Sequence, residues 1–201
     1  MSSLRHIGGP DQRDAADSYL DAARACILDV GWRRTTLTEV ARRAGVSRMT
    51  IYRRWSDMPQ LLGDLMTREW GAVVADSVAA GDAEPDPVTR LADGIVGTVR
   101  ALRYNELFLR IVELDPELLL PYLLSRRGRS QDAILALTEE QIRTGQRAGA
   151  VRAGNPMAIA RGLLLAAHGF VLSAHTMVDD EATEAELDEQ LHTLLARALT
   201  P

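Results

Sequence analysis

The stretch GVSRMTIYRRW, residues 45–55, decides the reading of this chain. It opens on a glycine that can take a positive φ and continues with a serine suited to cap a helix. Upstream, Thr36-Leu37-Thr38-Glu39 has the spacing of a capping box, in which hydroxyl and carboxylate satisfy each other's backbone donors. The two signals predict a short helix over about 37–44, stopped by Gly45, and a second from Ser47 to about Arg54. Ala41 is small where the two helices must cross, and Val46 and Ile51 point inward, so the pair forms a helix-turn-helix. In that motif the first residues of the second helix meet base edges in the major groove; here these are Arg48 and Met49. Thr50, Tyr52 and Arg53 are placed to hold phosphates, which positions the helix without reading sequence. Ser47 at the start of that helix, and Thr36 and Thr38 at the start of the one before, complete the set facing DNA.

Charge supports a local anionic partner. The chain of 201 residues has a formal net charge of −5, and all 23 of its basic residues are Arg. Residues 1–60 carry ten Arg against seven acids, whereas residues 61–201 carry thirteen against twenty-one. Within residues 31–56 there are seven Arg and a single acid, Glu39. A basic block at one end of an acidic chain points to one anionic contact rather than to general stickiness.

Outward from the block every segment has helical period. Ala16, Leu20, Ala23, Ile27 and Val30 mark an inward stripe that ends at Gly31. Ser56 or Asp57 caps a helix that tolerates Pro59 in its first turn and runs to about Ala80. The turn-rich GDAEPDP, residues 81–87, is a break. Beyond it lie helical stretches at about 88–103, 105–113, 116–124, 129–148, 156–178 and 184–199. No alternating run suggests a strand, so the expected fold is all-α. Its organisation is a loose arm over 1–12, a three-helix DNA-binding domain over 13–58, a connecting helix over 59–80, and a helical bundle over 81–201. The single Cys26 reads as core. The longest apolar run, GLLLAAHGFVL, is interrupted by His168 and falls short of a membrane span. The expected location is the cytoplasm.

Residues 35–62, TTLTEVARRAGVSRMTIYRRWSDMPQLL, resemble the DNA-binding segment of the TetR family of bacterial transcriptional regulators, and the likeness extends over residues 15–65. Two positions depart from it: Met58 stands where the family often carries a Lys, and Met49 where a small residue is common. The resemblance implies double-stranded operator DNA as partner, a homodimer, and a regulatory domain that senses a small ligand. It implies a repressor released from DNA when that ligand, small and mostly apolar, is bound.

The acidic remainder offers weaker signals. Gly162, Ala166, Gly169 and Ser173 recur at helical spacing, and Leu187, Leu191, Leu194 and Leu195 mark the last helix; together they suggest a four-helix dimer interface. Met66, Trp70, Tyr104, Phe108, Tyr122 and His168 are the bulky or polar candidates for lining a pocket. His168 and His175, seven apart, lack the spacing of metal ligands. No cofactor is expected, and no nucleophile elbow, phosphate-binding glycine loop or catalytic carboxylate pair argues for an enzyme. The alternatives are a regulator without a small ligand and a helical-bundle metal enzyme built on the two histidines.

Overall fold

Two apolar cores form, and one long helix leaves the first to pack against helices that build the second. The computed structural model describes residues 10–81 and 83–201, residues 10–14 by backbone alone; no strand occurs among the described residues. Ten helices follow in order: α1 (Pro10–Val30), α2 (Leu37–Arg43), α3 (Arg48–Tyr52), α4 (Met58–Ala80) and α5 (Pro87–Arg103), then α6 (Glu106–Leu114), α7 (Leu120–Leu124), α8 (Arg129–Arg147), α9 (Pro156–Ser173) and α10 (Glu184–Leu199). Short 3-10 turns at Trp32–Arg34, Pro116–Leu118 and Ala174–Thr176 join several of them. Of the expected arm, residues 1–9 lie outside the described residues; Pro10 to Gln12 are already helical, so the arm ends sooner than expected.

The first core gathers Ala23 and Ile27 of α1, Val40 of α2, Ile51 of α3, Trp55, and Leu61 and Leu65 of α4. Into it α6 also inserts Leu107 and Ile111, although α6 follows the break at 81–87 in sequence. The tertiary boundary therefore does not fall where the chain turns, because α6 covers apolar surface that α1 and α4 cannot hide from each other. Val30, expected to point inward, is at the exposed end of α1. The second core packs Val99 of α5, Leu135 and Ile142 of α8, Leu163 of α9, and Leu191, Leu195 and Leu199 of α10.

Polar groups lock the helix ends. Asp57, Asp86, Asn105 and Asn155 each accept a hydrogen bond from the backbone three residues on, which satisfies a first-turn donor. Thr183 and Glu186 form a reciprocal capping box, with N···O distances of 2.8 and 3.3 Å. Buried Asp188 of α10 holds Arg100 at 3.0 Å and also pairs with Arg103, both of α5. Helix α9 and the turn after it, Pro156–Thr176, are long and apolar enough to cross a membrane, with a mean hydropathy of 1.6, despite Arg161 and His168. The uninterrupted apolar runs on either side of His168 are each shorter than that. In the fold α9 packs on α5, α8 and α10, and it buries Ile159, Leu163 and Ala167 in the second core.

The turn after α8 folds back so tightly that Gly145 meets Val151. A Cβ at position 145 would collide with the Val151 side chain. Gly145→Ala is expected to destabilise the protein by about 1–3 kcal/mol through overpacking, despite the better helix propensity of Ala. Urea unfolding checks this.

Candidate functional site

Helices α2 and α3 present a small basic face. Thr36 caps α2, its hydroxyl accepting from the Glu39 backbone at 3.2 Å. The expected capping box is only half made: the Glu39 carboxylate turns instead to Arg42, at 2.9 and 2.6 Å. That guanidinium holds the Glu39 carboxyl below the usual carboxylate range. Gly45 takes φ 69°, the left-handed turn that lets α3 leave α2 at a steep angle. Ser47 then caps α3, accepting from the Thr50 backbone at 3.2 Å, with its hydroxyl 2.9 Å from that of Thr50.

Ile51 and Trp55 anchor α3 from beneath, both buried. The opposite side carries Arg48, Met49, Tyr52 and Arg53 into solvent; Met49 is 69% and Tyr52 49% exposed. Thr38 and Thr50 are half-buried at the edge of this face. The structure sorts the arginines of the basic block. Arg33 pairs with Asp115 and Glu117, Arg42 with Glu39, and Arg43 with Asp29. Arg54 lies over the Trp55 ring, its guanidinium carbon 5.4 Å from the centroid. Arg48 and Arg53 have no carboxylate partner among the described residues, so their charge is free to meet an external anion. Met58, the first residue of α4, is half-buried and packs against the first core.

The second feature is a cavity of about 480 Å³ between α4, α5, α8 and α9. It is within the range of roughly 300–1,000 Å³ typical of drug-sized sites. Met66, Trp70, Phe108, Tyr122 and His168, five of the six pocket candidates, line it. Trp70 and Phe108 meet edge to face, ring centroids 6.3 Å apart, and the buried Trp70 Nε1 has no hydrogen-bond partner among the described residues. Tyr104 is a correction. It caps the end of α5 at 66% exposure, and its hydroxyl donates to Glu184 at 2.7 Å, tying α5 to α10 instead of facing the cavity. Sequence reasoning missed the α5 and α8 walls, among them Ile95, Thr98, Gln131, Ile134 and Thr138. Their period was visible, but which face of each helix would meet α4 was not.

The dimer candidates also divide. Gly162, Gly169 and Ser173 are exposed, Ala166 and Leu187 are half-buried, and Leu194 is exposed. Leu191 and Leu195 are fully buried in the second core of their own chain, because α10 must turn its inner face to α5. Leu165, not singled out from sequence, stands 70% exposed on the outer face of α9. His175 is exposed on the turn after α9 and does not line the cavity that His168 enters. Cys26 is buried in the first core, and burial pushes its thiol up.

Two carboxylates tie the helix-turn-helix unit to the rest of the fold, and one of them reaches a cavity wall. Asp64 of α4 accepts from the Trp55 indole at 2.8 Å through one oxygen and pairs with Arg129 of α8 through the other. Asp115, buried after α6, accepts from the Trp32 backbone at 3.0 Å and holds Arg33 at 3.3 Å. Trp55 lies three residues after the end of α3, and Arg129 lies on the cavity.

Comparison with known proteins agrees with this geometry. The family model for bacterial regulatory proteins of the tetR family matches residues 20–65. An HTH-type transcriptional regulator of Mycobacterium bovis is 33% identical over 188 residues, covering 92% of this chain and 96% of that protein. Among solved structures, the R. erythropolis transcriptional repressor QsdR superposes with a TM-score of 0.67 at 18% identity, over 95% of this chain and 96% of that one. RolR in complex with resorcinol gives 0.67 at 12% identity, over 94% and 89%. At such identities the structural likeness establishes the fold alone.

Burial in the cavity wall lowers the His168 pKa from its ordinary value. Its Nε2 lies 3.5 Å from Gln131 Nε2. A base whose folded pKa is depressed takes up its proton more readily when unfolded, so the folded state loses stability as pH falls below about 6.5. His168→Gln is therefore expected to lose less stability than the wild type between neutral pH and pH about 5. Urea unfolding at the two pH values, compared between the two proteins, measures the difference; a constant gap would contradict it.

Proposed function

The chain belongs to the tetR family of bacterial regulatory proteins and is a helix-turn-helix transcriptional regulator; from that premise we propose that it is a homodimeric repressor released from operator DNA by a small, mostly apolar ligand. One observation carries the reading. Helix α4 buries Leu61, Leu62 and Leu65 under the recognition helix, and its other face lines the cavity. A molecule that reshapes the cavity must therefore move or strain the element on which α3 rests. The Trp55–Asp64–Arg129 bridge gives that movement a polar path to the end of α3. Resorcinol in RolR, a protein of the same fold, supports a small and largely apolar occupant.

The mechanism is linkage. DNA favours the conformer whose two recognition helices stand about one helical turn apart, roughly 34–36 Å. A ligand that favours another spacing weakens DNA binding by the factor by which DNA weakens its own binding. Arg48 and Met49 read base edges; Thr36, Thr38, Ser47, Thr50, Tyr52 and Arg53 hold phosphates. The outer face of α9 and α10 pairs two chains: Gly162 and Gly169 leave room for close approach, and Leu165 and Leu194 supply apolar surface. Such a regulator acts in the cytoplasm, where its operator lies.

Selection from a random duplex pool, followed by titration of the selected operator, tests the DNA reading. Arg48→Ala should cost about 1–3 kcal/mol and relax preference at one base pair, whereas Tyr52→Phe should weaken all sequences alike. Equal, sequence-independent losses would remove Arg48 from base reading.

For assembly, Gly169→Leu should wedge the paired faces apart and shift the protein toward monomer in light scattering, with weaker operator binding. No atom lies within 4 Å of a Cβ built at position 169, so the substitution leaves the fold of the single chain intact. A variant that stays dimeric would place the interface elsewhere.

A further inference from the structure

The cavity of this acidic protein is lined by no Asp or Glu among the described residues; its charged lining consists of Arg90, Arg126, Arg127 and Arg129. Three of these four lie in residues 126–129, at the start of α8. Arg127 pairs with Asp132 at 2.7 Å and Arg129 pairs with Asp64. Arg126 has no carboxylate partner; its guanidinium rests on the Tyr122 ring, 5.0 Å from the centroid.

That ring lies directly against the first turn of α8. A Cβ at Gly128 would come within 3.2 Å of two Tyr122 ring carbons, so a larger residue there would push the ring aside by a few tenths of an ångström. Gly128 is also the N-cap of α8, and as a glycine it offers no side-chain acceptor to the first-turn amides. The backbone N–H groups of Arg129, Ser130 and Gln131 thus meet no side-chain cap at the positive end of a 19-residue helix, and the Gln131 side chain accepts from the Gly128 N–H at 2.8 Å. All three residues line the cavity. Ser130 is 92% buried (8% exposed), and its hydroxyl makes no hydrogen bond among the described residues. Uncapped amides, an unpaired guanidinium and an idle buried hydroxyl on one wall are together the means by which proteins hold anions. From this corner the cavity runs along α4 from Gly63 to Val78, about 22 Å at 1.5 Å per residue, past Met66, Trp70 and Val74.

We propose that the cavity takes a single-chain amphiphile whose anionic head sits between Arg126, Ser130 and the first turn of α8, with its hydrocarbon tail along α4. The proposal rests on the reading of the cavity as a ligand site and narrows the occupant from an apolar molecule to an anionic one. Carboxylate and phosphate heads share the chemistry, and the experiment separates them.

Dodecanoate, dodecyl phosphate and dodecan-1-ol are titrated calorimetrically into the dimer, below the concentrations at which they form micelles. At least one anion should bind about tenfold or more tightly than the alcohol, its head-group preference naming carboxylate or phosphate. Arg126→Gln, an exposed change that leaves the fold intact, should abolish that advantage and leave the affinity for dodecan-1-ol unchanged. Ser130→Ala should reduce it in the same direction. Equal affinities for anion and alcohol, or an equal loss for all three in Arg126→Gln, overturn the anionic head. If dodecan-1-ol then still releases operator DNA, the ligand-responsive regulator stands and only the head group is wrong. Absence of binding by all three, in protein that still binds its operator, overturns the amphiphile, and a screen of compact apolar compounds for operator release then decides the ligand site separately.

Discussion

Helix α4 has more apolar surface than one core can cover, and the rest of the molecule is arranged around that fact. Leu61, Leu62, Leu65 and Met66 sit at its N-terminal end and close the core beneath α1, α2 and α3. Trp70, Val74 and Val78 continue along the helix and face α5, α8 and α9 across a gap that side chains do not fill. A 23-residue helix is stiff over its length, so the two halves cannot respond independently. Helix α6 is drawn into the same constraint: Phe108 packs on Trp70 at the cavity, while Leu107 and Ile111 complete the first core. The contact between recognition unit and cavity is therefore a shared wall rather than a linker.

Polar interactions across that wall are few and specific. Asp64 divides its two oxygens between Trp55 and Arg129, and Asp115 divides its own between the Trp32 backbone and Arg33. Asp115 satisfies two groups from the DNA-binding unit, whereas Asp64 satisfies one and also reaches the cavity rim. Asp115 is nearly fully buried, and removing one partner from a buried pair leaves an uncompensated charge. Such contacts favour one relative placement of the two cores.

Charge is distributed to the same end. The acidic body neutralises most of its arginines internally: Arg24 with Glu69 and Glu106, Arg68 with Asp21 and Glu69, and Arg100 and Arg103 with Asp188. Arg48 on α3, Arg53 just after it and Arg126 at the cavity belong to the smaller group of arginines that have no carboxylate partner among the described residues. At these two places an unneutralised guanidinium stands open to an outside anion. The two places differ in kind: one is an exposed convex face, the other the rim of an apolar gap.

The sequence by itself determined the local structure and the family. The Thr36 cap, Gly45, Ser47 and Ile51 act within a few residues of themselves, and short-range hydrogen bonds and helical period do not depend on distant chain. The helix boundaries after residue 81 were legible for the same reason. What the sequence could not determine was which side of each helix would be shared. Glu39 had two partners within reach, and it bonds Arg42 because a charged donor outbids a backbone amide. Leu191 and Leu195 carried the same apolar signal as Leu194, but only the rotation of α10 against α5 put the first two in the core and left the third outside. Tyr104 looked like a pocket aromatic until α10 offered Glu184 to its hydroxyl. The cavity itself is a product of tertiary packing alone. It exists because α4, bound to the first core at one end, is held away from α8 and α9 at the other, and no stretch of sequence encodes a gap between helices.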